Sequence, residues 1–193
     1  MHLLKRISKR TLYKAIFCLL LLSFTACAVK YNPVESDSVT VSNGHAIIRN
    51  EKFNLITENR HWVKEPQNLS NYFTTFYVTI QNRTSDNIMV SLDEFTLLDE
   101  EGNQFDALHP DNVVKLLIPE EIVFDPVREL SHRQNYQMEQ WREARRNLMT
   151  DSFNFGAVLP GARKSGFIFF PRMSSRNRKL ELICKDYRIE FTR

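Results

Sequence analysis

A cysteine's place in a chain decides between acylation, disulfide exchange and burial. The sequence holds three, Cys18, Cys27 and Cys184. Cys27 ends the run Phe24-Thr25-Ala26-Cys27. A small residue before a cut, with a thiol after it, is what transfer of a diacylglycerol onto the chain requires. Cys18 lies inside an apolar run and follows no small residue, so it is the poorer acceptor. Cys184 ends Leu180-Glu181-Leu182-Ile183-Cys184 and reads as a small buried apolar residue rather than a reactive thiol.

The other reactive types are scattered. Asp93, Glu94, Asp99, Glu100 and Glu101 cluster and offer hard oxygen ligands, but without the alternating Asp/Asn spacing of a calcium loop. A solvated hairpin tip explains them, and no metal is expected. The histidines are His2, His45, His61, His109 and His132, and no pair has a helical ligand spacing. Ser131 beside His132 is not a hydrolase signature, and the chain has no Gly-x-Ser-x-Gly elbow and no Gly-rich phosphate loop. The expectation is therefore no catalytic residue and no cofactor.

Two basic groups remain. Arg172, Arg176, Arg178 and Lys179 form one stretch, which suits either an anionic lipid or polymer or a plain solvated loop. Trp141 with Arg142, Arg145 and Arg146 forms the other. Arg and Trp favour interfaces, so these residues are a candidate interaction surface. The competing reading is that Trp141 pins its helix to a sheet.

The elements around Cys27 give its context. Lys5, Arg6, Lys9, Arg10 and Lys14 make a positive start without acidic residues. Ala15 to Leu22 is apolar, and Ser23 to Ala26 is small or mixed. This order is that of a secretory leader, and the apolar run is shorter than the roughly 20 residues of a bilayer span. The run before Cys27 resembles a bacterial lipobox, with Phe24 where Leu is usual. The resemblance implies a leader over 1–26, cleavage before Cys27, and palmitate-type lipid on that thiol. Each buried CH₂ contributes about 0.8 kcal/mol, so two or three acyl chains hold firmly. Ala28 is not the Asp that resembles an inner-membrane retention signal, so if two membranes exist the outer membrane is favoured, and whether the domain faces the periplasm or outward is left open.

The whole chain carries 26 basic and 23 acidic residues, a net of +3. The leader holds five of the basic ones, leaving 21 against 23, or −2. A nucleic-acid partner would call for a basic domain, so none is expected. With Cys27 lipidated, Cys184 has no partner for an internal disulfide.

Residues 27–44 read as a polar tether, and 45–193 as one domain with a real core. In Tyr72 to Ile80, Phe76, Val78 and Ile80 alternate with Tyr77 and Thr79, the period of a half-buried strand. Asn82 to Asn87 and Asp99 to Asn103 read as turns, the second with Gly102 for positive φ. Residues 110–152 break the rhythm. Asp111 is the expected N-cap of a short helix over Asn112 to Leu117, and Pro119 can open another. Gln134 to Met149 is the strongest helix, with Met138, Trp141, Ala144 or Arg145, and Leu148 recurring at three-to-four spacing. Strands return at Gly166 to Pro171 and in a closing hairpin turning at Lys185-Asp186. Seven or so strands predict a two-sheet sandwich.

Two segments carry a resemblance. One is Tyr72 to Leu108, with Asn82-Arg83-Thr84, Phe95-Thr96-Leu97-Leu98-Asp99 and Gly102-Asn103-Gln104-Phe105. The other runs from Leu159-Pro160-Gly161 through Gly166-Phe167-Ile168-Phe169-Phe170-Pro171. They are similar to immunoglobulin-like domains of unknown function in bacterial envelope lipoproteins. The resemblance implies a mainly β, immunoglobulin-like β-sandwich, here with a helical insertion at about 110–152, and brings no site residues with it. The functional expectation is a non-enzymatic binding or scaffolding module, anchored to the membrane through lipid, with an envelope protein as partner. The alternative is an envelope-acting hydrolase assembled from carboxylates such as Asp106, Asp111, Glu120 and Asp125.

Overall fold

The computed structural model describes residues 30–117 and 132–193. The leader, Cys27, the expected helical turn at Pro119, and Glu120, Asp125 and Ser131 lie outside the described residues.

Alternation sets the first sheet. In β5 (Phe73–Asn82), Phe76, Val78 and Ile80 are buried on one side. Antiparallel neighbours extend it. β4 (Phe53–Asn59), β3 (His45–Arg49) and β2 (Thr40–Ser42) follow on one flank, and β10 (Arg163–Pro171) on the other. The second sheet has the order β1 (Asn32–Pro33), β12 (Tyr187–Thr192), β11 (Lys179–Cys184), β7 (Phe95–Asp99), β8 (Gln104–Asp106), again antiparallel. β6 (Ile88–Val90) and β9 (Gly156–Val158) pair apart from both. The described residues thus hold twelve strands rather than seven. The additional ones are two or three residues long, such as β1 and β2, and too short to show a period.

The two large sheets share one core. Ile48, Leu55, Phe76 and Ile80 from the first meet Leu97, Leu182, Ile189 and Phe191 from the second. The rings of Phe76 and Phe191 meet edge-on at 4.9 Å across the interface. Fully burying each such side chain contributes about 1.5–3 kcal/mol. The architecture is mainly β, with antiparallel sheets stacked as a sandwich.

A third layer covers β10 and β5. The run Gly166-Phe167-Ile168-Phe169-Phe170 is buried at every position, which alternation alone does not provide. Ile168 and Phe170 enter the core between the sheets. Phe167 and Phe169 point the other way, into a second core with Trp62, Leu69, Phe73, Val113 and Leu148. That second core is roofed by α1 (Pro110–Leu116) and α2 (His132–Asp151), so the expected helical insertion is a lid on the sheet. β10 is an edge strand, and chain segments seal its outer side. Leu108 N–H donates to Phe169 O at 2.8 Å, and Phe153 N–H donates to Phe167 O at 2.9 Å. Gly166 makes the second contact possible, because a Cβ there would lie 2.4 Å from the backbone N of Phe153.

Two expectations need correction. The tether over 27–44 does not reach 44: Tyr31 is 4% exposed and Val39 2%, both inside the core. Tyr31 N–H donates to Asn59 Oδ1 at 2.9 Å and its hydroxyl donates to Asn177 O at 3.0 Å. A few apolar residues suffice to anchor a polar segment whose backbone pairs with a sheet. The cap of α1 is His109, not Asp111: its Nδ1 accepts from Asp111 N–H at 3.3 Å, and Pro110 takes the first helical turn. Pro fits there because its missing N–H would be unpaired anyway.

Candidate functional site

A groove of about 660 Å³ opens between the helical layer and the segment that leads into β5. One wall is Glu65 to Asn68 with Tyr72. It is held in place from beneath, since Trp62 and Leu69 are buried in the second core. From α2, Lys64 pairs with Asp151 at 2.6 Å, and Asn147 Nδ2 donates to Glu65 O at 3.2 Å. Arg172 closes the far end of the wall, donating to Asn71 O at 2.9 Å after the 3-10 turn Leu69–Asn71.

The other wall is helical. Leu116 and Leu117 come from the end of α1, and Gln137, Gln140, Trp141 and Ala144 from α2. α2 presents this face because Met138, Ala144 and Leu148 are buried, as their spacing predicts. Trp141 is half-buried and packs against the second core, so the pinning role and the groove role coexist.

Exposed apolar side chains concentrate on the helical layer and the chain beside it. Of seven large hydrophobic side chains exposed among the described residues, Leu116, Tyr136 and Met149 lie on the helical layer, Tyr72 on the wall, and Val63 just ahead of the wall. Leu116 is 69% exposed and Tyr72 is 56%. Single exposed apolar residues are ordinary; their concentration on one layer is the signal.

The six residues expected to form an interaction surface separate. Trp141 lines the groove. Arg142 is bound to Glu139 on its own helix at 2.6 Å, and the Arg145 guanidinium lies 5.9 Å from the Trp141 ring centroid. Arg172 faces the wall through Asn71. The backbone N–H of Arg176 turns to Ser174 Oγ, and that of Arg178 to Glu100 Oε2, 3.2 Å in each case. The basic stretch is therefore partly a structured loop. Sequence reading missed Gln67, Asn68, Tyr72, Leu116, Gln137 and Gln140. The available signal was an exposed Leu closing a short helix and a Tyr just ahead of a strand.

Asp99 and Glu94 of the acidic cluster are engaged within the fold. Asp99 accepts from the N–H groups of Glu101 and Asn103 and from Asn103 Nδ2, at 3.0, 2.8 and 2.8 Å. Burial pushes its carboxyl upward, but these hydrogen bonds, with one from Gly102, together hold it below the usual range. Glu94 receives Lys185 Nζ at 2.7 and 2.9 Å. Asp106 and Asp111 are both exposed, and Asp111 lies 3.5 Å from His109. No group of three or more His, Cys, Asp or Glu converges for a metal among the described residues.

A second hollow, about 670 Å³, lies by Asn50, Phe53, Glu94, Lys185 and Tyr187. Two pairs of its polar groups occupy one another. Asn50 Nδ2 donates to Tyr187 Oη at 2.8 Å, and Lys185 is bound to Glu94. Cys184 is fully buried, and burial drives its thiol far above the ordinary value, with Lys185 acting weakly the other way. It is a core residue. Burial and then Lys30 lower the His61 imidazole below its usual value.

No family model matches the chain, and no curated protein matches it. Among solved structures, the crystal structure of a functionally unknown protein from Listeria monocytogenes EGD-e is similar over 79% of this chain and 70% of that one, at 12% identity and a TM-score of 0.32. No helix among the described residues is long and apolar enough to cross a membrane.

Proposed function

We propose that the chain is a lipid-anchored envelope protein whose helical layer docks another envelope component without catalysing a reaction. The observation that carries the docking reading is the concentration of exposed apolar side chains on the helical layer and the segment beside it, with Tyr72 and Leu116 on the groove itself. Burying a patch of this kind supplies the hydrophobic part of association, at roughly 25 cal/mol per Å² removed from water. The anchoring part rests on the positive leader, its short apolar run and Phe24-Thr25-Ala26-Cys27. The domain belongs, on this reading, with the immunoglobulin-like sandwiches, and the outer membrane is the expected site.

The test has two arms. Intact mass of the chain purified from membranes is expected to begin at Cys27 with a diacylglyceryl or triacyl increment, lost in Cys27→Ala. A photo-crosslinking residue at Tyr72 or Leu116 is expected to capture envelope material in cells, while one at Leu159, away from the helical layer, does not. A mass without lipid sinks the anchor, and equal capture at all three positions sinks the docking face.

A further inference from the structure

The geometry points to a neutral glycan strand as the occupant of the groove, an inference that rests on the docking reading above. Its lining is dense in amides. The side chains of Gln67, Asn68 and Gln137 form no hydrogen bond among the described residues, and neither does the Tyr72 hydroxyl. Each amide offers two donors and a carbonyl acceptor. A sugar hydroxyl is donor and acceptor at once, so an amide meets it in either sense, whereas a carboxylate or ammonium meets it in only one. Three unpaired amides around one concavity therefore match a polyhydroxylated ligand.

The rings supply the other half of sugar recognition. Tyr72, 56% exposed, stands on one wall, and Trp141, half-buried, on the other. The C–H face of a pyranose ring is apolar and lies flat on an aromatic ring, which buries carbon while the hydroxyls point outward to the amides. Aromatic side chains with few rotors do this at low entropic cost. The groove volume of about 660 Å³ falls within the range of ligand sites.

Charge sets the neutral class. Among the described residues no Lys, Arg or His lines the groove, and Glu65 is the one charged residue in that lining. The nearby arginines of α2 are engaged, Arg142 by Glu139 and Arg145 over Trp141. An anionic polymer would meet a carboxylate and no free cation in the lining, at a desolvation cost. An extended peptide is the less favoured alternative. It would bind by adding a strand to a sheet edge or by filling apolar pockets. The outer side of β10 is already taken by Leu108 and Phe153, and the groove lining is mainly polar.

The experiment uses the full mature chain in detergent micelles and follows tryptophan fluorescence during titration. The probes are cellotriose, maltotriose and tri-N-acetylglucosamine, with a trigalacturonate and a proline-rich decapeptide as controls. Trp62 is buried at 3% exposure, so a ligand-induced change reports Trp141. A saturable change with at least one neutral sugar is expected. Gln137→Ala and Asn68→Ala should each weaken it by about three- to tenfold, as loss of one or two hydrogen bonds predicts. Trp141→Phe should remove the signal, and Tyr72→Ala, at an exposed position, should weaken binding without touching either core. No saturation with any of the three sugars, unchanged affinity in both amide variants, or binding of the peptide or trigalacturonate alone overturns the proposal. Crosslinks at Leu116 that persist without sugar binding would remove the glycan and leave the docking face standing. Sugar binding that survives Gln137→Ala, Asn68→Ala and Tyr72→Ala undiminished, or a ligand-induced signal that persists in Trp141→Phe, would place the ligand elsewhere and overturn the groove.

Discussion

Replacing Gly166 by alanine puts a methyl group where the chain has no room. An ideal Cβ at this position lies 2.4 Å from Phe153 N and 2.5 Å from both Phe153 Cα and Ser152 C. Carbon contacts are comfortable at about 3.5–4.0 Å, so the segment that follows α2 has to retreat by roughly 1 Å or more. That retreat stretches the 2.9 Å bond from Phe153 N–H to Phe167 O. It also moves the Phe153 ring, 1% exposed and packed 5.3 Å from Phe155 and 6.1 Å from Phe95. Overpacking costs about 1–3 kcal/mol, and the upper half applies because the obstacle is backbone rather than a movable side-chain tip. A strained hydrogen bond adds up to about 1 kcal/mol. Gly166→Ala should therefore cost about 3 kcal/mol in urea unfolding, read as a shift in midpoint at unchanged m-value. Ser165→Ala, exposed and one residue earlier, is the control and should cost under about 1 kcal/mol. Hydrogen exchange at the Phe153 amide should rise in the glycine variant alone. A cost near that of the control, with Phe153 still protected, would mean that the end of α2 is not pressed onto β10.

Asn82 is 1% exposed and accepts from Thr84 N–H and Oγ while donating to Asp86 O and Val158 O, so Asn82→Ala should cost about 2–3 kcal/mol in the same assay. Glu94→Gln removes the partner of Lys185, whose side chain is 14% exposed against 29% for Glu94. With that partial solvent screening the loss should be about 1–2 kcal/mol, and Glu94→Gln with Lys185→Met together should cost less than the sum of the singles. His61 has its folded value lowered by burial and then by Lys30, so the folded state favours the neutral ring and the unfolded chain takes up the proton first. Stability is then fully present above the ordinary histidine value near 6.5 and declines as pH falls through it toward the folded value. Urea midpoints at pH 7.5 and 5.5 should differ more for the native chain than for His61→Gln, and equal differences would remove His61 as the cause.

The parts of the fold that were legible are those where side-chain period and burial coincide. β5 alternates because one face enters the core between the sheets, and α2 repeats at three-to-four spacing because Met138, Ala144 and Leu148 form its buried side. The closing hairpin was readable for the same reason: Tyr187, Ile189 and Phe191 share a face. The first strands were not. Asn32 and Pro33 bind the sheet through backbone register opposite Thr192 and Phe191, and two residues carry no period. The motif Asn82-Arg83-Thr84 was visible as a turn, but its importance lies in the four partners of one buried amide, which only the return of β9 beside β5 reveals. The hairpin-tip reading of the acidic run holds for Asp99 to Glu101, where Asp99 spends its oxygens on the turn it opens, whereas Asp93 and Glu94 lie in a 3-10 turn ahead of β7.

The groove escaped sequence reading for a different reason: its residues come from three places that β10 brings into relation. Residues 65–72 reach the groove because Trp62 and Leu69 are seated on Phe167 and Phe169, and Trp62 lies 5.1 and 6.0 Å from those rings. The α1 and α2 residues reach it because Val113 and Leu148 are seated on the same two phenylalanines' cluster. The inward side of the strand, Ile168 and Phe170, is fixed by the opposing sheet. One strand buried on both faces therefore sets the distance between the groove walls from the packing of the sandwich. A cavity made on the outer side, as in Phe169→Ala, would loosen both walls together, since each rests on that ring's cluster. A substitution on the groove surface, such as Gln137→Ala, touches neither core. Binding and stability should separate for the second kind of change and move together for the first, and that contrast follows from burial at Phe167 to Phe170 rather than from the identity of the ligand.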